Sequence, residues 1–576
     1  MRRCSLLLLG MLCCPAFAVI DERQLGERIG AMIEAEMSAR NIAGLSVALV
    51  HDQELVWAAG FGHSDIERGT PASADTVYRV GSIAKLFTAL ALLQLQEAGR
   101  LDIDRPLQSY LPGFSMRSRF ADAVPMTLRH LMTHHAGIPA DYLKGMWSAA
   151  PEPFDTVPAR LASMHVAAAP NQVFAYSNLG YALLGCVVQQ VSDRPFAQHT
   201  REALLDRIGM SDSSFSSSPP SLASMSKAYR AGREVVEPAL RDVPAGGLNA
   251  SARDLGRFVA MVFADGRVGE RRIVEARTLA EMLRPQNLDV PLDRELRVGL
   301  GWMLAGPLST QGPALGGVAY HYGATINFRA QLMLIPSHKL GVVVLANSAA
   351  AGPTVTRVAA EMLRLVVPQV PAVGAVLPAP ARLAGHTVGA GSVDAMLGVY
   401  ATPSGLIKLS RRNGQVQIER LGSRVSEPAS LIAGDAGPVR SPEGASGSES
   451  RATLIRVGER QVLVTRSGGQ EVLLGERIRR PHVPSLWWRR LGSYRVTNAN
   501  EDFVHFQDVA LRERDGLLTL EFAGPEMGVV TYALAAISDR AAVVLGVGRG
   551  LGETIEIVER NGGELLWHAG YLFERR

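Results

Sequence analysis

The chain has 576 residues, 47% of them hydrophobic and 20% charged, with a formal net charge of +4. That length exceeds one ordinary domain and is enough for three or four. The near-neutral balance, with no basic block and no interleaved aromatics, excludes a nucleic-acid-binding surface, and the composition is that of a folded globular protein.

The N-terminus reads as a cleavable export signal. Arg2 and Arg3 form a positive segment, Leu6 to Leu12 an apolar one, and Ala16-Phe17-Ala18 a small-residue cleavage site. The apolar run is too short to span a bilayer. Cys13 and Cys14 raise a lipoprotein alternative, but Gly10-Met11-Leu12 before them lacks the usual small pair, so cleavage after Ala18 is favoured. The expected location is then periplasmic or secreted, with no transmembrane segment in the mature chain. Of the four cysteines only Cys186 remains. It lies in the apolar run Leu183 to Val188 and reads as a buried, inert thiol.

Residues 25 to 40 read as a helix. Leu45 to Val50 and Leu55 to Gly60 read as two strands joined by a tight turn at His51-Asp52-Gln53. The apolar stretch Gly81 to Leu95 follows as a helix, and then alternating helix and loop to about residue 265. Arg329 to Ile335 and Leu340 to Ala346 are strong strand patterns around a Pro336 turn, and a last helix covers about 353 to 367. Strands at both ends with helices between predict an α+β fold, one antiparallel sheet assembled from both ends of the segment and flanked by a helical region. Composition then changes. Residues 368–395 are rich in Pro, Ala, Gly and Val and read as a linker. Beyond it come short strands and turns only: an all-β module at 396–480 and a second at 481–576, or two halves of one barrel. Residues 427 to 450 read as a disordered Gly/Ser/Pro/Ala loop. A weak repeat supports two matched units. Leu397-Gly-Val-Tyr400 precedes the turn signal Asn413-Gly414, and Leu491-Gly-Ser-Tyr494 precedes Asp515-Gly516.

Only five of the 59 basic residues are lysines: Lys85, Lys144, Lys227, Lys339 and Lys408. Arginine cannot shed its proton near neutral pH, whereas a desolvated lysine can. Lys85 lies in the apolar helix Gly-Ser-Ile-Ala-Lys-Leu-Phe-Thr-Ala-Leu that starts at Gly81, three residues after Ser82, so both side chains share one face. The bland alternative is a lysine snorkelling from a helix edge. A neutral Lys85 amine could take the Ser82 proton while backbone N–H groups hold an oxyanion. Two further segments carry suitable groups. Tyr176-Ser177-Asn178 offers a phenol that can relay protons and an amide that can both donate and accept, although Asn178 would also suit a helix cap. Tyr320-His321-Tyr322-Gly323-Ala324 offers a glycine on an edge strand, where a ligand can approach backbone closely.

Taken together, S-x-x-K, Y-S-N and H-x-G in that order resemble the serine β-lactamase and penicillin-binding-protein superfamily. The tyrosine form of the second motif resembles class C β-lactamases and the related D-aminopeptidases, DD-peptidases and esterases. The runs Asp75 to Lys85, Glu97 to Asp104, Thr127 to Pro139, Pro244 to Leu248, Gly299 to Trp302 and Leu345 to Asn347 agree, so the resemblance covers about residues 25 to 365. It implies a β-lactamase-like fold in residues 19–367. It also implies Ser82 as nucleophile, with Lys85 and Tyr176 sharing general-base work. Asn178 would orient the substrate amide, and Gly323 would let Ala324 supply the second oxyanion N–H beside that of Ser82. His321 stands where many β-lactamases carry a lysine, which weakens the case for a substrate carboxylate there. His130, His134 and His135 have a spacing open to zinc, but the resemblance assigns them to helix and turn packing, and no metal or cofactor is expected. The expected function is an exported serine hydrolase working through an acyl-enzyme, with β-lactam-type amide hydrolysis first. D-peptidase or carboxylesterase activity is the alternative, so the partner is a small-molecule or peptide substrate. The rival of another class is a non-catalytic sensor that binds cell-wall fragments.

Overall fold

The computed structural model of the chain describes residues 22–305, 317–373, 386–387, 393–412, 415–422, 429–431, 452–467, 470–503, 506–524, 528–560 and 562–576. The export signal, most of the 368–395 linker, the Asn413-Gly414 turn and most of the 427–450 tract lie outside those residues.

The first part is built on an eight-stranded antiparallel sheet. Its long members lie in the order Val318–Ala324, Arg329–Ile335, Leu340–Ala346, Gly44–His51 and Glu54–Asp65. Leu45 pairs with Ala346 and His51 with Leu340, so the first and last strands of the segment close the sheet as its two ends predict. Strand alternation then decides which face each residue covers. Val342, Val344 and Ala346 pack with Val47 and Leu49 under the helices Glu22–Arg40 and Gly352–Val366. Val343 and Leu345 turn to the other face, into a larger core with Phe258, Val259 and the helix Ala84–Glu97. Eleven of the fourteen residues of that helix are buried, Lys85 among them. It is apolar all round because it runs through the middle of a core, not along a surface.

The C-terminal part is all β. Strands between His386 and Arg477 form an eight-stranded antiparallel sheet, and strands from Gly492 to Arg575 form a closed eight-stranded barrel. The two Leu-Gly-x-Tyr segments have one local geometry. Tyr400 donates its hydroxyl to the Met396 carbonyl at 2.7 Å, and Tyr494 donates to Arg490 at 2.5 Å, each four residues back. The expected Asp515-Gly516 turn is present, with φ +54° and +77°, the left-handed pair that a two-residue hairpin requires. The barrel sits against the first part. Lys144 reaches Asp502 at 3.0 Å, and the Phe503 N–H donates to the Trp147 carbonyl at 2.9 Å.

Leu345 is fully buried on the face toward the helix Ala84–Glu97. Leu345→Ala should destabilise the first part by about 2–5 kcal/mol, measured as a lower midpoint of the corresponding transition in urea unfolding of the full chain.

Candidate active site

Gly81–Ile83 forms one tight turn that runs straight into the helix Ala84–Glu97. Gly81 has φ +53°, and a Cβ there would stand 2.6 Å from the Ala324 nitrogen; a Cβ on Gly323 would stand 2.0 Å from the Val80 carbonyl oxygen. These two glycines therefore let the strand Val318–Ala324 lie directly against the Ser82 turn. The neighbouring strand, Met303–Ala305, pairs only as far as Tyr320. His321 to Ala324 thus outrun it and behave locally as the expected edge.

Lys85 Nζ has three short contacts. It lies 2.8 Å from Asn178 Oδ1, 2.8 Å from the Ala245 carbonyl oxygen and 3.2 Å from Ser82 Oγ. Both of the nearer oxygens can only accept. A neutral amine has two hydrogens and one lone pair, so with both hydrogens taken the lone pair faces the serine hydroxyl. Burial holds the Lys85 pKa well below the usual lysine range, the Arg549 charge lowers it further, and Asp141 and Asp242 oppose both. Ser82 itself is only half-buried, as an attacking group must be.

Tyr176 and Asn178 enter from the start of the helix Asn178–Ser192. Ser177, not Asn178, caps that helix, accepting the Gly180 N–H at 3.0 Å. The cap frees the Asn178 side chain, which gives Oδ1 to Lys85 and donates Nδ2 to Asp141 at 2.7 Å. Burial pushes the Tyr176 phenol up to about 12, against a hydrogen bond with Ser82 that pulls it down. At neutral pH it is a phenol, a proton donor. His134 holds it in place, with rings stacked at 4.2 Å and Nδ1 accepting the Ser177 N–H at 3.1 Å.

His321 is buried with its ring 6.5 Å from that of Tyr176. Its Nδ1 stands 2.8 Å from the Tyr322 carbonyl, which can only accept, so Nδ1 carries the proton and Nε2 is an acceptor. Burial first, and Lys85 second, hold its pKa down to about 3. The imidazole is neutral across the physiological range.

The other two histidines of the cluster go elsewhere. His130 completes a capping box with Thr127, and His135 Nε2 is 2.7 Å from Asp293. Cys186 is buried, its thiol pushed up to about 12. Among the described residues no helix is long and apolar enough to cross a membrane. Sequence reasoning missed Ala245, Asp141, the stacking role of His134, and Arg549. Arg549 Nη2 donates to Asp141 Oδ2 at 3.0 Å, and its guanidinium is 5.1 Å from the centre of the Tyr176 ring. The one signal for it was the pattern Gly548-Arg549-Gly550, a lone charge between glycines in a β region.

A serine facing the lone pair of a desolvated lysine, with a phenol beside both, defines a serine hydrolase. The family model described as Beta-lactamase matches residues 29–367, more than half of the chain, and the chain belongs to that family. It is 26% identical over 190 residues to Protein flp of Staphylococcus aureus, covering 33% of this chain and 38% of that protein. It is 30% identical over 220 residues to Esterase EstB of Burkholderia gladioli, covering 36% of this chain and 55% of that one. The chain thus spans well under two thirds of either relative. The structure of the octameric penicillin-binding protein homologue from Pyrococcus abyssi superposes with a TM-score of 0.51 at 23% identity, covering 78% of this chain and 98% of that one. That likeness shows the fold.

Arginine cannot give up its proton, so Lys85→Arg should lower kcat/KM by about 10²–10⁴-fold while the far-UV circular dichroism is unchanged. The wild-type profile should fall on its acid side as Lys85 protonates, with that limb displaced to lower pH than an ordinary lysine would give, because the folded-state pKa is depressed. Stopped-flow kinetics between pH 4 and 9 check this.

Proposed function

We propose that the protein is an exported serine acyl hydrolase that forms an acyl-enzyme on Ser82 and transfers the acyl group to water. The observation that carries this reading is the 3.2 Å contact between Lys85 Nζ and Ser82 Oγ, the other two neighbours of Nζ being oxygens that can only accept. Lys85 takes the hydroxyl proton as Ser82 attacks the substrate carbonyl. The N–H groups of Ser82 and Ala324 hold the oxyanion. Tyr176 donates its phenol proton to the departing oxygen or nitrogen and is reprotonated from the Lys85 ammonium, which restores the amine. Water then attacks the acyl-enzyme by the reverse sequence of proton transfers.

For the substrate, the charge state of the cleft favours a neutral ester. Burial disfavours the ammonium form of Lys85, His321 is neutral, and Arg549 is compensated by Asp141 at 3.0 Å. A β-lactam or a D-peptide brings a carboxylate, and His321 offers it no cation. The relation to Esterase EstB agrees with this preference. β-Lactam amide hydrolysis, which the family resemblance put first, becomes the second reading, and D-amino-acid peptide hydrolysis the third. Export rests on the Arg2 to Ala18 segment.

The decisive experiment is intact-mass detection of the acyl-enzyme across a short-chain p-nitrophenyl ester, nitrocefin and a D-alanyl dipeptide. The ester should add its acyl mass to the wild type and not to Ser82→Ala, and turn over fastest. Faster turnover of nitrocefin would reverse the order of the first two readings. No adduct and no turnover with any of the three would leave the non-catalytic sensor.

A further inference from the structure

One loop of the barrel reaches the catalytic cleft. Residues 545–553, Leu-Gly-Val-Gly-Arg-Gly-Leu-Gly-Glu, join the strands Ala541–Val544 and Thr554–Arg560. Gly546, Gly548, Gly550 and Gly552 all have positive φ, between +74° and +118°, so every second residue takes a conformation that side-chain-bearing residues rarely adopt. The path is then clamped. Arg119 donates to the carbonyls of Ala167 at 2.8 Å and Gly552 at 2.7 Å, bridging the two parts. Val547 packs with Val173 and Leu292 of the catalytic part and Val462 of the first β unit. Glu553 accepts the Ala140 N–H at 2.9 Å.

Arg549 stands near the tip. It donates to Asp141 at 3.0 Å, Asn178 donates to the other Asp141 oxygen at 2.7 Å, and Lys85 donates to the Asn178 amide oxygen at 2.8 Å. Three hydrogen bonds in series join the barrel to the base. Resting on the acyl-hydrolase reading above, we propose that Arg549 is a positioning residue for Lys85, acting through Asp141 and Asn178, so that the C-terminal barrel is a working part of the active site. The chain has a direction. A carboxylate only accepts, so Asp141 takes the amide NH₂ of Asn178 and turns its oxygen to Lys85. Arg549 in turn pairs the Asp141 charge, which would otherwise favour the ammonium form of Lys85. Arg549 and Lys85 also crowd the same ring, 5.1 and 4.8 Å from the centre of Tyr176, and two cations so placed disfavour each other.

The remaining groups around Lys85 compete little for this role. Asp242 is bonded to Arg241 at 2.7 Å. Burial lowers the pKa of His134 and His321 and raises that of Tyr176 and Tyr181, so all four face Lys85 uncharged at neutral pH. Glu553 stands behind Asp141, raised by burial to about 7, and is the one group whose own titration needs a control.

The lysine count makes the test direct. Five lysines give five Cε resonances in ¹³C-lysine-labelled full-length protein, and Lys85 is the one lost in Lys85→Arg. Its titration midpoint should rise by about one pH unit in Arg549→Gln, a tenfold gain in proton affinity. It should return to the wild-type value in Arg549→Lys, fall in Asp141→Asn, and stay in place in Glu553→Gln. A midpoint in Arg549→Gln equal to the wild type would overturn the proposal. Should that variant fail to fold, an unmoved midpoint in Asp141→Asn does the same. The readout needs no substrate. A Lys85 midpoint that moves in a protein forming no acyl-enzyme would sink the hydrolase reading and leave the coupling standing. Where the acyl-enzyme does form, the acid limb of its formation should move with the midpoint.

Discussion

The structure depends on keeping one amine out of water. Lys85 lies in a helix whose other first-turn residues are fully buried, and its head group meets carbonyl oxygens, a hydroxyl and aromatic rings. Desolvation disfavours the ammonium ion, and the two carbonyl acceptors fix which way the remaining lone pair points. Take away the burial and the lysine becomes an ordinary surface cation. Take away either carbonyl and the lone pair loses its aim. Each neighbouring element contributes one piece of that cage: the helix cap at Ser177 frees Asn178, the short turn Val243–Gly246 presents the Ala245 carbonyl, and Gly81 lets the Ala324 strand close in.

The same constraint accounts for the neutrality of the cleft. A buried site cannot hold several unpaired charges, because each loses most of its hydration. Here the formal charges are removed one by one. Burial disfavours the ammonium form of Lys85, His321 is neutral, Tyr176 stays a phenol, and Arg549, Asp141, Arg241 and Asp242 occur as ion pairs. Charge then appears only in the transition state, where fixed N–H dipoles can meet it without reorganising. Tyr176 is better suited to donating a proton than to taking the first one, so the proposed mechanism gives the acylation base to Lys85 and the proton relay to Tyr176.

Much of this was legible in the sequence because it depends on local pattern. The strands Arg329–Ile335 and Leu340–Ala346 stand where their apolar runs placed them, and the first helix extends three residues beyond its expected start. Strand periodicity and turn residues carry that information directly. The Ser82, Lys85, Tyr176 and His321 motifs were legible because chemistry demands particular side chains. What escaped was whatever works through backbone or through distant chain. Ala245 acts by its carbonyl, which any residue possesses. Ser177 takes the cap because it is the extended residue that precedes the helix, whereas Asn178 is already its first helical residue. Arg549 lies more than 360 residues from the tyrosine it covers, and no local pattern encodes that distance.

The barrel loop shows how such a distant residue can be placed at all. A loop of nine residues with four glycines is entropically expensive to order, since each glycine surrenders more conformational freedom than any other residue. An unsupported loop of this composition would wander, and Arg549 with it. The offset comes from contacts that are themselves buried. Val547 sits in an apolar cluster shared by three parts of the chain, Arg119 ties Gly552 to Ala167, and Gly552 approaches the Ala167 carbonyl so closely that a Cβ would stand 2.1 Å from it. Gly552 is thus needed for the approach, and the approach supplies the packing that holds the loop. A guanidinium delivered this way arrives already oriented, which an arginine on a free surface loop could not match. The barrel thereby supplies the guanidinium that meets Asp141 at 3.0 Å beside the catalytic cleft.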